Sequence, residues 1–93
     1  MVEQRAEVVM QVMRTVGKRL RSRRRLLGLS QMSLASSCGV TFQQIQKYET
    51  GAVAISASRL WRLAVALGVS IGYFFEGASA WGETAGGKTE EAF

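Results

Sequence analysis

Residues 29–51, LSQMSLASSCGVTFQQIQKYETG, predict two short helices joined by a tight turn. Ser30 is placed to cap the first helix, and Gly39 can take the left-handed conformation that closes it without a Cβ clash. Thr41 and Gln44 form a T-x-x-Q capping box at the start of the second helix, which the last glycine of the stretch can end. Because helices this short are not stable alone, the rest of the chain must pack around them.

The charge of the chain is unevenly distributed. The 93 residues allow one domain. Twelve Lys and Arg against seven Asp and Glu give a net charge of +5, and no acidic residue occurs from Val8 to Tyr48. One side of the molecule should therefore carry a positive field, which attracts phosphate polymers or anionic membranes.

The sequence lacks the residues that several classes of protein function require. With no histidine and one cysteine, the sequence offers no set of zinc ligands and no intramolecular disulfide, which suits the reducing cytoplasm. No run approaches the ~20 apolar residues that a membrane span needs. The sequence has no carboxylate pair in a shared motif and no Gly-rich phosphate loop. We therefore expect no enzyme activity, no bound metal and no cofactor.

Helices are also predicted on both sides of the central stretch. Residues 3–27 contain helix-forming residues and no proline, and valine and leucine recur at intervals of three, four and seven residues, which predicts a helix. Gly17 is the position at which this helix could bend. Residues 51–55, GAVAI, lack helix signals and are interpreted as a loop. Ser56 or Ser58 then caps a further helix with an apolar stripe. A last short helix, also capped by a serine, completes the compact part.

Three segments together resemble the Xre-type helix-turn-helix domain of phage Cro proteins and repressors and of their bacterial relatives. They are GLSQ with Ala35 and Gly39, the segment GVTFQQIQKYE, and the closing ALGVS-x-x-x-FFEG. The resemblance covers Val16 to Gly77. It implies an all-α fold, a compact five-helix lambda-repressor-like bundle whose third helix enters the major groove of DNA.

The resemblance also implies a function. It is that of a sequence-specific, double-stranded DNA-binding transcriptional regulator, a homodimer on a palindromic operator, with the 42–49 helix in the major groove. On this basis we divide the chain into an N-terminal helical extension (1–15), a DNA-binding domain (16–77) and a flexible, mobile tail (78–93).

Helical geometry separates the two faces of the second short helix. At 100° per residue, Ile45 and Tyr48 face inward and the opposite face is polar. Glutamine can pair bidentately with adenine, lysine can donate to guanine or phosphate, and Phe42 can touch a thymine methyl group. Exposed glutamines occur on many helices that bind nothing, so glutamine alone does not indicate a DNA contact. The assignment to DNA binding depends on the capped turn before this helix and on the absence of acidic residues around it. The candidate DNA-binding residues of this segment are Thr41, Phe42, Gln43, Gln46, Lys47 and Thr50.

Phosphate contacts are expected on both sides of that helix. Gln31 resembles the family position that holds a phosphate, at a helix N-terminus whose free N–H groups favour anions. Ser30 shares this site, although its capping role alone would explain it. The loop 51–55 lacks the basic residues that relatives carry, so contacts there fall to backbone N–H groups and to Ser56 or Ser58.

The arginines that follow Leu20 have different expected roles. The family pairs the position of Arg24 with an acid after the recognition helix, here Glu49, which implies a largely buried structural ion pair. Arg21, Arg23 and Arg25 remain for phosphates or for solvent, and we count Arg21 and Arg23 among the DNA-binding candidates.

Apolar residues outside the stripes leave a choice between core and subunit interface. Val53 and Ile55 fit either one. The N-terminal stripe either docks on the bundle or, as we prefer, pairs with its mate in a second subunit; its members are Val8, Val9, Val12 and Met13. Cys38 is expected to be a buried packing residue. Four further aromatic residues, expected in the core or in dimer contacts, are Trp61, Tyr73, Phe74 and Phe75.

Two other functions remain as alternatives. The same fold would serve an antitoxin-like protein that binds a protein partner through its N-terminal helix or tail. A membrane-surface protein would use residues 3–27 as a basic amphipathic helix, but its basic residues are not confined to one polar face.

Overall fold

The computed structural model describes the backbone of residues 2–78 and the side chains of residues 5–78. The described part is all helical, as predicted, and contains no strand. Its last element is a 3-10 helix rather than an α-helix. The elements are α1 (Val2–Leu26), α2 (Gln31–Cys38), α3 (Phe42–Thr50), α4 (Ala57–Leu67) and the 3-10 helix Ile71–Phe75. The predicted mobile tail (78–93) lies, apart from its first residue, outside the described part.

Helix α1 runs unbroken through Gly17, the position suggested for a bend. A Cβ atom at Gly17 would lie 2.7 Å from the carbonyl oxygen of Glu49 and closer still to that of Tyr48. The glycine therefore allows the backbones of α1 and α3 to approach each other. The boundary predicted between residues 15 and 16 falls inside this one helix.

Serine and threonine caps begin three of the helices. The hydroxyl groups of Ser30, Thr41 and Ser56 each accept a backbone N–H three residues on, at 3.0, 3.1 and 3.3 Å. Ser56, rather than Ser58, is thus the cap of α4. Ser70 makes no side-chain capping bond. In the 3-10 turn that follows it, the N–H of Tyr73, three residues on, donates to the backbone carbonyl of Ser70 at 3.1 Å and is therefore not available to the hydroxyl group.

The core lies among the four α-helices and the 3-10 helix. Val53 and Ile55 are half buried and pack against it, which accounts for the apolar loop without a partner. Cys38 is buried in it, as predicted, and burial raises the pKa of the Cys38 thiol. The largest fully buried side chains are Tyr48, Phe74, Leu20, Leu34, Ile45, Leu63, Leu67 and Val16.

Trp61 is not a core residue. Its side chain is 61% exposed, as is that of Val65 one turn later. The buried stripe of α4 already fills the inward face with leucine and alanine, and the next residue along the helix points about 100° away from it. The structure excludes the core as the place of Trp61, and the dimer contact stays a prediction.

The N-terminal apolar stripe is divided between bundle and solvent. Val12 and Met13 are half buried against the core, whereas Val9 is exposed. Docking of the stripe on the bundle, the alternative to pairing with a second subunit, thus accounts for Val12 and Met13 but not for Val9. Among residues 2–78, no helix combines the length and the apolar content that crossing a bilayer requires.

Candidate nucleic-acid interface

The polar candidates of the central segment share the outer face of α3. This face, which we define as Gln43, Gln46, Lys47 and Thr50, is exposed along its whole length. The side that faces the bundle holds the buried residues Ile45, Tyr48 and Glu49. Thr41 and Phe42 are also exposed, at the start of the helix. The six candidates therefore lie together on solvent-facing surface, and their contacts with DNA stay a prediction.

A buried ion pair joins α3 to α1. Arg24 Nε lies 2.5 Å from Glu49 Oε2, and Arg24 Nη2 donates to Glu49 Oε1 at 3.1 Å. The two residues are 9% and 8% exposed. A third donor of the guanidinium, Nη1, reaches the carbonyl of Leu29 at 2.8 Å. The pair implied by the family resemblance is thus present, and its two parallel bonds fix the orientation of both side chains.

Gln31 belongs to the same network. Its Nε2 donates to Glu49 Oε1 at 2.9 Å, which ties the first turn of α2 to α3. Gln31 also lines an open, polar groove of about 370 Å³ between α1, α2 and α3. The phosphate contact predicted for Gln31 therefore remains compatible with its position, beside a structural role that the sequence did not indicate. The residues around the groove are Arg21, Arg24, Gln31, Gln46, Glu49 and Thr50.

Arg23 and Arg21, both predicted to bind DNA, point in different directions. Arg21 is exposed and borders the groove beside α3. Arg23 lies 200° further round α1, where its Nε donates to the carbonyl of Leu67 at 2.9 Å. Because the last carbonyls of a helix lack backbone partners and attract cations, Arg23 closes the end of α4. The sequence did not indicate this role, and the phosphate contact predicted for Arg23 stays a prediction.

Arg59 is a residue that the sequence analysis missed. It stands in the first turn of α4, close to Ser56 and Ser58, whose hydroxyl groups lie 3.4 Å apart. Its Nη1 donates to the hydroxyl group of Tyr48 at 3.0 Å, which links α4 to α3. The sequence did offer one signal, since Arg59 is a basic residue shortly after a loop that has no basic residue. Its hydrogen-bond partner Tyr48, however, is eleven residues away, and the spacing alone did not indicate the contact.

Residues 5–78 contain no group of three His, Cys, Asp or Glu side chains placed to hold a metal ion. Cys38 Sγ lies 3.9 Å from the carbonyl of Arg62, away from the outer face of α3.

Comparison with known sequences gives one consistent result. The family model described as Helix-turn-helix matches residues 20–74. Over 77 residues the chain is 48% identical to an uncharacterized HTH-type transcriptional regulator of Sinorhizobium medicae, covering 83% of this chain and 55% of that protein. Over 60 residues it is 60% identical to an uncharacterized transcriptional regulator in the ATPase CF(0) region of Rhodospirillum rubrum, covering 64% and 56%. The chain thus spans about half the length of these curated relatives.

Solved structures with the same arrangement of helices are also regulators or controllers by name. The restriction-modification controller protein C.AhdI from Aeromonas hydrophila is 32% identical, with a TM-score of 0.66 over 68% of this chain and 96% of that one. The clp gene regulator ClgR from C. glutamicum is 26% identical, with a TM-score of 0.68 over 73% and 88%.

Proposed function

The chain belongs to the helix-turn-helix family of transcriptional regulators, and we propose that it binds a specific palindromic DNA sequence as a homodimer, with α3 in the major groove. Gln43, Gln46 and Lys47 read base edges in this proposal. Glutamine amides match the adenine pattern of N6 donor and N7 acceptor, and the lysine ammonium matches guanine O6 and N7. The protein acts in the cytoplasm, where bacterial DNA lies.

One observation carries the proposal: the outer face of α3 is polar and exposed while the helix is held firmly from behind. Arg24 bonds to Glu49 from α1, and Arg59 bonds to Tyr48 from α4. A helix fixed in this way can present side chains to base edges without first being ordered by DNA, which lowers the entropic cost of binding.

Phosphate contacts on each side of α3 would set its position in the groove. The N-terminus of α2 offers free backbone N–H groups beside Gln31, with the cation of Arg21 across the groove. The N-terminus of α4 offers the hydroxyl groups of Ser56 and Ser58, together with Arg59. Such contacts orient a protein on the duplex and carry no sequence information themselves.

A homodimer explains exposed apolar side chains that the bundle leaves uncovered. Val9 and Met10 on α1, and Trp61 and Val65 on α4, are between 43% and 61% exposed. Pairing of two chains would place two copies of α3 on one face of the duplex, with half-sites about 34 Å apart.

Selection of bound sites from a random duplex library tests the proposal, with the mass of the complex measured in parallel. We expect a palindromic consensus and a mass of two chains per site. Gln43→Ala should relax the preference at one position in each half-site, with a loss of ~1–3 kcal/mol of discrimination. Gln44→Ala, on the same helix but outside the outer face, serves as the control and should leave the consensus unchanged. Absence of any enriched sequence would refute the proposal.

A protein-binding role, such as that of an antitoxin, is the second candidate on the same fold. The exposed pair Trp61 and Val65 favours it, because adjacent large apolar side chains on a surface are typical of protein contacts. A stoichiometric partner that binds the wild-type chain but not Trp61→Ser, in a cell extract free of the cognate DNA, would support this role.

A further inference from the structure

Apart from Arg5, near its N-terminus, the basic side chains of α1 fall into two groups. The first group points into the bundle. Arg19 donates to the carbonyl of Tyr73 at 3.0 Å and to Glu76 at 2.6 Å. Arg23 and Arg24 have the partners described above. These three cations are neutralised or hydrogen-bonded by the protein itself and are therefore poorly available to an external anion.

The second group forms a basic stripe, which we define as Arg14, Lys18, Arg21 and Arg25. Their spacings of four, three and four residues place all four side chains within an arc of about 60° on α1. All four are exposed, and none donates a hydrogen bond within residues 5–78. At 1.5 Å per residue the stripe is about 17 Å long. It contains no acidic residue, since none occurs between Val8 and Tyr48.

The stripe lies beside the C-terminal end of α3. A Cβ atom at Gly51, the residue that closes α3, would come within 2.9 Å of the Cα atom of Arg14. Further along, Arg21 shares the groove of about 370 Å³ with Gln46 and Thr50 of the outer face. One end of the stripe therefore meets the end of α3, and its middle borders the surface proposed to face DNA.

We propose that the basic stripe is a second DNA-contact surface, which binds the phosphate backbone outside the base pairs that α3 reads. This inference rests on the proposed function, and it adds Arg14, Lys18 and Arg25 to the interface. A strand of duplex DNA rises 3.4 Å per phosphate, so a stripe of about 17 Å runs the length of about five phosphates. Contacts of this kind add affinity that depends on salt and no preference for sequence.

The face of the stripe fits DNA better than a membrane. An interfacial helix buries a broad apolar face beside its basic residues. Between Arg14 and Arg25 the face of the stripe carries no apolar side chain, and its neighbours Gln11 and Ser22 are polar and exposed. A phosphate polymer needs only the cations.

The test is the salt dependence of binding to the selected operator, measured for the wild type and for Arg14→Gln, Lys18→Gln and the double variant. Each lost phosphate contact should lower the slope of log K against log salt concentration by about 0.9, and the double variant by about 1.8. Between 50 and 200 mM salt, the wild type should thus lose about tenfold more affinity than the double variant. The selected consensus should not change.

Arg5→Gln is the matched control, because Arg5 is an exposed cation on the same helix and about 180° from the stripe. Its slope should equal that of the wild type. Lys18→Gln alone keeps the test decisive if the Arg14 variant fails to fold. Unchanged slopes with sequence-specific binding retained would overturn the stripe and leave the proposed function standing. Loss of binding to vesicles with 30% phosphatidylserine, with the DNA slopes unchanged, would assign the stripe to lipid and also overturn the inference.

Discussion

The two sides of α3 are subject to different constraints. On the side that faces α1, the backbone carbonyls of Tyr48 and Glu49 approach Gly17 too closely for any Cβ atom, and Glu49 is locked to a buried arginine. On the outer face, the side chains of Gln43 and Gln46 are exposed and make no hydrogen bond within residues 5–78. The inner side can hold only a few residue types if the bundle is to form. The outer face is free of that requirement, so its sequence can be set by the DNA that we propose it contacts.

The largest effect should come from breaking the buried ion pair. Arg24→Ala leaves Glu49 as an uncompensated buried carboxylate, and the free energy of unfolding should fall by ~3–5 kcal/mol in urea denaturation. Arg21→Ala, three residues earlier on α1 but exposed, should change it by less than ~0.5 kcal/mol. If both variants lost the same small amount, the inner side of α3 would be no more constrained than the surface.

A smaller effect should follow from filling the space at the crossing of α1 and α3. The added methyl group of Gly17→Ala would collide with backbone that cannot move aside alone, and overpacking of this kind typically costs ~1–3 kcal/mol. This cost should exceed the ~1 kcal/mol that alanine gains over glycine within a helix. We therefore expect net destabilisation of up to ~2 kcal/mol. Gly72→Ala is the control, because its Cβ would meet only the Ser70 hydroxyl at 3.8 Å. Net stabilisation of the Gly17 variant would show that the two backbones have room to separate.

The smallest effect on folding should come from the outer face. The double variant Gln43→Ala, Lys47→Ala removes exposed side chains without partners in the bundle, so the free energy of unfolding should stay within ~0.5 kcal/mol of the wild type. Circular dichroism and thermal melting would check this before any DNA measurement. A loss above 1 kcal/mol would mean that folding also constrains this face, and the contrast between the two sides of α3 would disappear.

Local signals in the sequence were sufficient for most of the fold. Capping residues such as Ser30 and Thr41 act within three residues of themselves, so their roles could be predicted from spacing. The outer face of α3 followed from the helical period once Ile45 and Tyr48 were assigned to the core. The Arg24 pair needed more than spacing, because its partner is 25 residues away, and it was the family resemblance that supplied it.

Features that depend on distant segments were not predicted. The close approach of α3 to Gly17 could not be predicted, because the α3 backbone concerned lies about thirty residues further along the chain. The sequence suggested only a bend at this glycine. Trp61 was expected in the core or in a dimer contact on the strength of its residue type, although the inward face of α4 was already full. The partners of Arg23 and Arg59 likewise depend on where other helices end.

The bonds made by Tyr48 and Glu49 fix the roll of α3 about its own axis. These consecutive residues project about 100° apart, and each is held by an arginine from a different neighbouring helix. Rotating α3 about its axis in either direction would stretch one of these two hydrogen bonds, so the rotational orientation of the helix is set before any ligand binds. Under the proposed function the outer face therefore acts as a fixed template, and exchanging its residues should change which base pairs α3 prefers without changing how the helix is oriented in the groove.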